Sequence, residues 1–474
     1  MASLWSDTCE IGERKPLCGD ITADVAVAGG GLAGILTAFM LQRAGLRTVV
    51  LEAKRLGGGQ TCNTTAKITS QHGMIYDKLQ NSHGKQKAEL YAAANQRAVE
   101  EYASLIEAEG IDCCFERTDA FVYGDDQEEL LREAEAAKLL GLPASFTKRH
   151  GLPFSAAGAV RFADQAQFHP LRFLKALSEE LTVFENSRVT AVGENIFKTQ
   201  SGSVKAEALV IASHYPFVNF PGMFFARMHQ ERSYVLALEN APTLEGMYIG
   251  TGENTISLRR FGDLLLFGGE GHRSGENREG GRYDALRRKA ERLFPGSREA
   301  YRWSAQDCIT PDGLPYIGRF ADSRPNFYLA TGFNKWGMSS SMVSALLLRD
   351  MILGKKPKEA EVFDPGRLSA SDVPEIVLEG GHAVKGLIKQ MFTLPKEDAD
   401  ALPTDHGGIV DLDGSKAGVY KDEEGELHVV DIRCPHMGCQ LEWNPDEKSW
   451  DCPCHGSRFD FDGNLLCGPA QEDV

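Results

Sequence analysis

The 474-residue sequence predicts an α/β protein with a small all-β unit at its C-terminal end. Three observations carry that reading. A strand, a glycine turn, a helix and a second strand follow one another between Asp24 and Glu52. Helix-period and strand-like runs then alternate for some 300 residues. After Phe363-Asp-Pro-Gly366 the pattern changes to short strands punctuated by Asp413-Gly414, Gly425 and Asp462-Gly463 turns.

Residues 1–22 read as an N-terminal tail: Met1–Asp20 carry Asp7, Glu10, Glu13 and Arg14 with no continuous apolar stretch, so they do not form a secretory signal. Asp24-Val-Ala-Val-Ala28 is the first strand, and Gly29-Gly-Gly-Leu-Ala-Gly34 follows at once. Helical composition from Ile35 stops at Gly45, and Thr48-Val-Val-Leu-Glu52 is the second strand. Helices are predicted at Lys85–Ala108, Gln127–Leu140, Pro170–Leu181, Tyr283–Phe294 and Met338–Ile352, the last stopped by Gly354. Strands are predicted at Ala208–Ala212, Ser233–Leu238, Leu264–Phe267 and Asn326–Ala330, and no repeat of 20–50 residues is visible.

The formal charge of −16 argues against a nucleic-acid partner and against an electrostatic anchor on anionic lipid. No apolar run reaches the ~20 residues that span a bilayer, so a cytoplasmic protein without a membrane span is expected. Residues 384–474 hold 8 Lys/Arg against 19 Asp/Glu, and five of the eleven cysteines crowd the last 41 residues. A local Cys/His cluster in a chain without a secretory signal reads as a metal site rather than a disulfide framework.

The glycine turn has the context that a dinucleotide site needs. Gly29 makes the tight turn, Gly31 admits a pyrophosphate to the backbone, and Gly34 lets the helix pack on the strand. The helix N-terminus offers N–H groups to phosphates, and Glu52, 23 residues after Gly29, offers a carboxylate to ribose hydroxyls. Further signals stand at Gln167-Phe-His-Pro170, Thr310-Pro-Asp-Gly-Leu-Pro-Tyr-Ile-Gly318 and Ala330-Thr-Gly-Phe-Asn-Lys-Trp-Gly-Met338. With these the chain, from about Asp24 to Asp364, resembles FAD-dependent oxidoreductases of the D-amino-acid oxidase and glycine oxidase type.

That resemblance implies a Rossmann-like FAD-binding domain over 23–366 with an interleaved α+β substrate domain. The FAD-binding parts are expected at about 23–78, 150–215 and 306–366, and the substrate-domain parts at about 79–149 and 216–305. Besides Gly29, Gly31, Gly34 and Glu52 it implies Ala53, Thr64, Thr65, Val189, Gly318, Gly332, Trp336, Gly337 and Met338 at the cofactor. Lys67, Gln71 and His72 are further pocket candidates, and His72, Lys335 and His272 are the expected catalytic residues at the flavin face. The helix after Gly337 would aim its N-terminal dipole at the pyrimidine edge of the ring. One departure bears on substrate. Where amino-acid-oxidising relatives place an arginine five residues before the Asp of Pro-Asp-Gly, this chain has Asp307, so no bidentate clamp on a substrate carboxylate forms there. Arg259, Arg260 and His272, in or beside the Leu264–Phe267 strand pair, are the candidates for binding an anion elsewhere.

Near the C-terminus stand Cys434-Pro-His-Met-Gly-Cys439 and Cys452-Pro-Cys-His-Gly-Ser457. Cys₂His₂ is also a zinc donor set, although this spacing is not finger-like. The pattern Cys-x-His-x15-Cys-x2-His resembles a Rieske [2Fe–2S] domain, expected over 384–474 behind a linker at 367–383. The resemblance implies Cys434 and Cys452 on one iron, His436 and His455 on the other, and a Cys439–Cys454 disulfide tying the two loops. Ser457 matches a donor to a bridging sulfide. Phe459 replaces a tyrosine found in high-potential members, so a potential low in the ~−150 to +300 mV range is expected. Cys467 reads as a small core residue.

The sequence thus predicts a fused FAD and Rieske oxidoreductase. It would take two electrons from a small, amine-type substrate at the flavin and pass them singly through the cluster to an outside acceptor. The acidic C-terminal domain suits a basic, soluble redox partner protein. A second reading is an electron-transfer module between a reductase and a partner, with no organic substrate of its own. A close His-x4-His pair of the kind found in ring-hydroxylating oxygenases is absent.

Overall fold

A computed structural model describes residues 2–252, 255–367, 402–412 and 414–474. The expected linker, 367–383, lies outside the described residues apart from Arg367, as do residues 384–401.

The first sheet has eight strands. Its centre is parallel: Gly19–Ala28 lies between Gly202–Ile211 and Thr48–Leu51, with Phe327–Thr331 and Thr182–Phe184 further out. Parallel strands require crossovers, and the first is the helix Leu32–Arg43, which packs against the last long helix, Gly337–Ile352. Both helices are buried almost all round, as their near-continuous apolar and small residues require.

The second sheet has nine strands in the order Arg298–Ile309, His229–Glu239, Leu264–Arg273, Ser257–Phe261, Gly246–Gly250, Glu116–Gly124, Gly158–Gln167 and Lys67–Ile68, with Ala144–Thr147 also paired to Gly158–Gln167. All its pairs are antiparallel except Gly246–Gly250 with Glu116–Gly124. Gly158–Gln167, expected in the FAD-binding part, therefore belongs to this sheet; its Arg161, Asp164 and Gln165 break the apolar alternation that marks a strand.

The N-terminal residues are not a loose tail. Ser3 caps a short helix, Leu4–Thr8, whose Trp5 is fully buried and donates from Nε1 to the Thr64 carbonyl at 2.7 Å. The first strand begins at Gly19, where the alternation is masked by solvent-facing Asp20 and Thr22.

The C-terminal unit is all β. A three-stranded sheet (His406–Leu412, Ser415–Lys421, Leu427–Val430) adjoins a four-stranded one (Glu442–Asn444, Ser449–Asp451, Arg458–Asp460, Leu465–Cys467). Its own core gathers Tyr420, Trp443, Trp450 and Phe459.

This unit is seated on the second sheet through polar contacts. Arg232 pairs with Glu447 at 2.6 Å, Arg278 with Glu442 at 2.6 Å, and Asn277 donates to Asn444 and Asp446 at 2.9 Å each. Gly275 and Gly280 let Pro453 and Pro445 approach so closely that a Cβ at either glycine would lie 2.6 Å from them.

Candidate redox site: a cavity and a Cys/His centre

The cavity opens where the first sheet ends. Gly29, at φ +119°, turns the chain at the end of its strand, and a Cβ there would stand 2.4 Å from the Ala212 carbonyl oxygen. A Cβ on Gly34 would fall 1.9 Å from the Gly29 oxygen, so only glycine permits the helix to start this close to the strand. Glu52 accepts from the Gly30 and Lys54 N–H groups at 2.7 and 2.8 Å, which fixes its carboxylate at the cavity wall. Burial raises its pKa, with those two donors opposing.

The cavity holds about 710 Å³ and runs from these glycines to the second sheet. Gly29, Gly31, Glu52, Ala53, Thr64, Thr65, Lys67, Val189, Trp336, Gly337 and Met338 line it. The N-terminus of the helix Gly337–Ile352 points into it, and Lys335, His272, Asp307 and Glu231 stand on its far wall. A cavity of this size, with the Glu52 carboxylate and a helix N-terminus in its wall, fits FAD in size and in donor set.

Three residues expected at the cofactor, Gly34, Gly318 and Gly332, do not line this cavity, and neither do His72, expected as catalytic, and Gln71. Gly318, at φ +150°, instead gives room to Pro365, and Gly332, at φ +70°, to Thr310. His72 is buried behind the wall: Nδ1 accepts from Tyr91 Oη at 2.6 Å, Nε2 donates to the Thr69 carbonyl at 2.9 Å, and the ring stacks on Trp336. Burial pushes its pKa down to about 3, and with both nitrogens engaged it supports Trp336 rather than meeting substrate. Gln71 is likewise buried away from the cavity.

The other expected catalytic residues do reach it. His272 donates from Nδ1 to the Arg273 carbonyl at 2.7 Å and accepts from Tyr234 Oη at 3.0 Å; burial lowers its pKa, so it is the neutral imidazole. Lys335 pairs with Glu231 at 2.7 Å. His229 and then Lys335 hold Glu231 down to about 2 against burial, while burial pushes Asp307 up to about 6. Lys67 donates to the Tyr248 carbonyl at 2.9 Å, and burial with Arg259 nearby brings its pKa down to about 7.

Arg259 takes no anion. It is buried and donates to the Thr65, Ala66 and Phe168 carbonyls, pinning the strand that carries Lys67. Lys67 and Glu231 are the residues the sequence argument undervalued. Only the folding of the second sheet, with Glu231 on its second strand and Lys67 on its last, brings them both to the cavity.

The second centre is built from two loops of the same design. In the first, Gly438 N–H bonds to the Cys434 carbonyl and Cys434 N–H to the Cys439 carbonyl. In the second, Gly456 N–H bonds to the Cys452 carbonyl and Cys452 N–H to the Ser457 carbonyl. Both glycines have φ near +80°, which closes the turn. The loops present His436 and His455 with their Nδ1 atoms 3.2 Å apart. Cys434 and Cys452 share a hydrogen bond that lowers the pKa of the first and raises that of the second.

The sulfurs of Cys439, Cys452 and Cys454 lie within 4.8 Å of one another, but Cys439 and Cys454 are joined in a disulfide, which leaves Cys452 as the donor among them. Two nitrogens 3.2 Å apart are spaced like two ligands of one tetrahedral metal at ~2.1 Å. The neighbouring thiols of Cys434 and Cys452 would hold the other metal, so the donor set fits a [2Fe–2S] cluster with mixed ligation. Ser457 Oγ lies beside Cys434 and accepts from the Ala470 N–H at 2.9 Å.

The two centres share a wall. Gln230 donates to the His455 carbonyl at 2.6 Å and Gln306 to the Gly456 carbonyl at 2.7 Å. The next residue on each strand, Glu231 and Asp307, lines the cavity. Leu466–Pro469 of the C-terminal unit also line it, so Cys467 stands at this junction rather than in a core.

Comparison with known proteins agrees with both halves. Residues 24–351 match the FAD dependent oxidoreductase family and residues 395–474 the Rieske [2Fe-2S] domain. YhfW of Bacillus subtilis (strain 168), named as a Rieske 2Fe-2S iron-sulfur protein, is 35% identical over 99% of this chain and 96% of its own length. The gamma-glutamylputrescine oxidoreductase of Escherichia coli (strain K12) is 23% identical over 77% of this chain and 90% of its own. The crystal structure of glycine oxidase from Geobacillus kaustophilus superposes with a TM-score of 0.62 at 20% identity, over 74% of this chain and all of that one.

Proposed function

Since the chain belongs to the FAD-dependent oxidoreductase family and carries a Rieske [2Fe–2S] domain behind it, we propose that it oxidises a small amine-type substrate at FAD and delivers the electrons one at a time, through the cluster, to an external acceptor. The observation that carries this reading is the shared wall: one pair of strands puts Gln230 and Gln306 on the cluster loop and Glu231 and Asp307 in the cavity. FAD supplies exchange between two-electron and one-electron chemistry, and the cluster supplies one-electron carriage.

The residues divide the remaining work. Gly29, Gly31 and Glu52 would hold the dinucleotide end, and Trp336, Gly337 and Met338 would flank the ring. Asp307, where an arginine would have bound a carboxylate, offers a positively charged amine an anionic partner, and the neutral His272 is placed to orient it. Residues Leu466–Pro469 of the C-terminal unit line one side of the cavity. The likeness to a protein named for oxidising gamma-glutamylputrescine supports an amine, and the acidic Rieske domain supports a basic partner protein as the acceptor.

Anaerobic mixing with a panel of primary and secondary amines, followed by visible absorbance and by the electron paramagnetic resonance of the reduced cluster, tests this. Bleaching of the flavin with appearance of the cluster signal is expected. Reduction by carrier proteins alone, with every amine inert, would replace this reading with that of an electron-transfer module.

A further inference from the structure

We propose that Asn219, on a loop of the FAD-binding half, is a positioning residue for the iron–sulfur centre: it accepts a hydrogen bond from the ligand His436 and thereby sets the centre's potential. The inference rests on reading the Cys/His set as a [2Fe–2S] cluster.

The two Nδ1 atoms of His436 and His455 face each other, so Nε2 is the nitrogen of His436 left to bear a proton. It lies 3.0 Å from Asn219 Oδ1. A neutral imidazole bound to metal through Nδ1 must donate from Nε2, and a side-chain carbonyl oxygen is the acceptor that this requires.

Asn219 is held from its own side. Its carbonyl accepts from Met223 N–H at 2.8 Å, and Phe224 is buried against Tyr316 and Phe320. Arg227 lies 4.5 Å over the Tyr316 ring and donates to the Arg367 carbonyl at 3.0 Å. The same loop presents Phe225 edge-on to His455, with ring centroids 5.9 Å apart. One loop of the FAD-binding half thus meets both histidines.

An acceptor on Nε2–H pushes electron density through the ring toward the metal, which favours the oxidised centre and lowers its potential. A carboxylate in place of the amide does so more strongly, and an apolar side chain not at all.

The test is a potentiometric titration of the full-length protein, followed by electron paramagnetic resonance, on wild type, Asn219→Leu and Asn219→Asp, with iron and sulfide content measured alongside. The Leu variant is expected to titrate above wild type and the Asp variant below it, each with wild-type iron content. Equal midpoints, or shifts in the same direction, would overturn the proposal while leaving the cluster reading intact. Loss of iron from both variants would also overturn it, since Asn219 would then hold the fold and not tune the centre. A wild-type protein containing zinc, with no cluster signal, would remove the cluster reading and this inference together. Met223→Ala, a change on the exposed side of the same loop, is expected to leave the midpoint where it is.

Discussion

Asp307 and Glu231 face one another across neighbouring antiparallel strands, and both stand in the wall of the cavity. Two carboxylates placed so close do not ionise alike. His229 and then Lys335, 2.7 Å away, keep Glu231 charged, and burial leaves Asp307 with a pKa of about 6.

Binding of a positively charged amine is therefore expected to depend on Asp307. Above about pH 6 the carboxylate is ionised and attracts the ligand; as the pH falls through 6 the attraction is lost. A titration of the flavin absorbance with an unreactive alkylamine, between pH 5 and 8, is expected to show weaker binding at the acid end. Asp307→Asn is expected to weaken binding at pH 8 by roughly tenfold, or ~1.4 kcal/mol, and to flatten the profile. An Asn variant that keeps the wild-type profile would assign the pH dependence elsewhere.

Among the described residues, the Arg232–Glu447 pair is the most buried of the ion pairs joining the two halves, with 2% and 14% of the side chains exposed. Burial raises the carboxyl pKa of Glu447, but Arg232 and Arg458 more than offset it, and the net shift is downward. Such a group stabilises fully above its ordinary pKa of ~4.3 and ceases to do so as the pH falls through the lowered value. Removing one partner from a buried pair costs ~3–5 kcal/mol. Glu447→Ala is expected to bring unfolding of the C-terminal unit forward as a separate, earlier transition in calorimetry at pH 7, and the difference from wild type should shrink below pH 4.

The sequence was most informative where chemistry needs fixed spacing. The turn from Gly29 to Gly34 and the two Cys-Pro loops are local, so their geometry follows from neighbours in the chain. The second sheet was legible only in pieces. Its strands Glu116–Gly124 and Arg298–Ile309 carry polar side chains on both faces, some of them turned into a cavity or onto the C-terminal unit, so neither shows a clean alternation. His72 was misplaced for a related reason. The resemblance put it at the flavin face, and the Tyr91 and Ser339 that engage its ring behind the wall come from two helices whose packing no local pattern shows. The contacts between halves were illegible, because a glutamine such as Gln306 shows its partner only after folding.

Gly34 is the most sterically restricted position of the dinucleotide turn. A methyl group placed there would meet the Gly29 oxygen at 1.9 Å, and backbone cannot yield as a side chain can. Gly34→Ala is expected to abolish retention of FAD on purification, read as flavin absorbance per chain, and to lower stability by more than ~1–3 kcal/mol, the cost of ordinary overpacking. Gly31→Ala, whose Cβ meets only Thr61 Oγ1, at 3.4 Å, is expected to cost less stability while still weakening FAD retention, because its methyl would stand where the pyrophosphate approaches.

The disulfide between Cys439 and Cys454 ties two loops that are each already closed by their own backbone hydrogen bonds. Its loss should therefore leave the loops formed but free to part, drawing Cys434 and His436 on one loop away from Cys452 and His455 on the other. With a sequence separation of 15, the chain-entropy model gives a stabilisation of ~3 kcal/mol. The double variant Cys439→Ser, Cys454→Ser is expected to incorporate iron during expression and then lose it faster to a chelator than wild type does. The pairing itself is open to direct count. Protein denatured without reductant and freed of iron should alkylate at nine of its eleven cysteines, and at all eleven after reduction. Eleven labels before reduction would mean that the loops are held by the metal alone, and the chelator experiment would then show no difference between the variant and wild type.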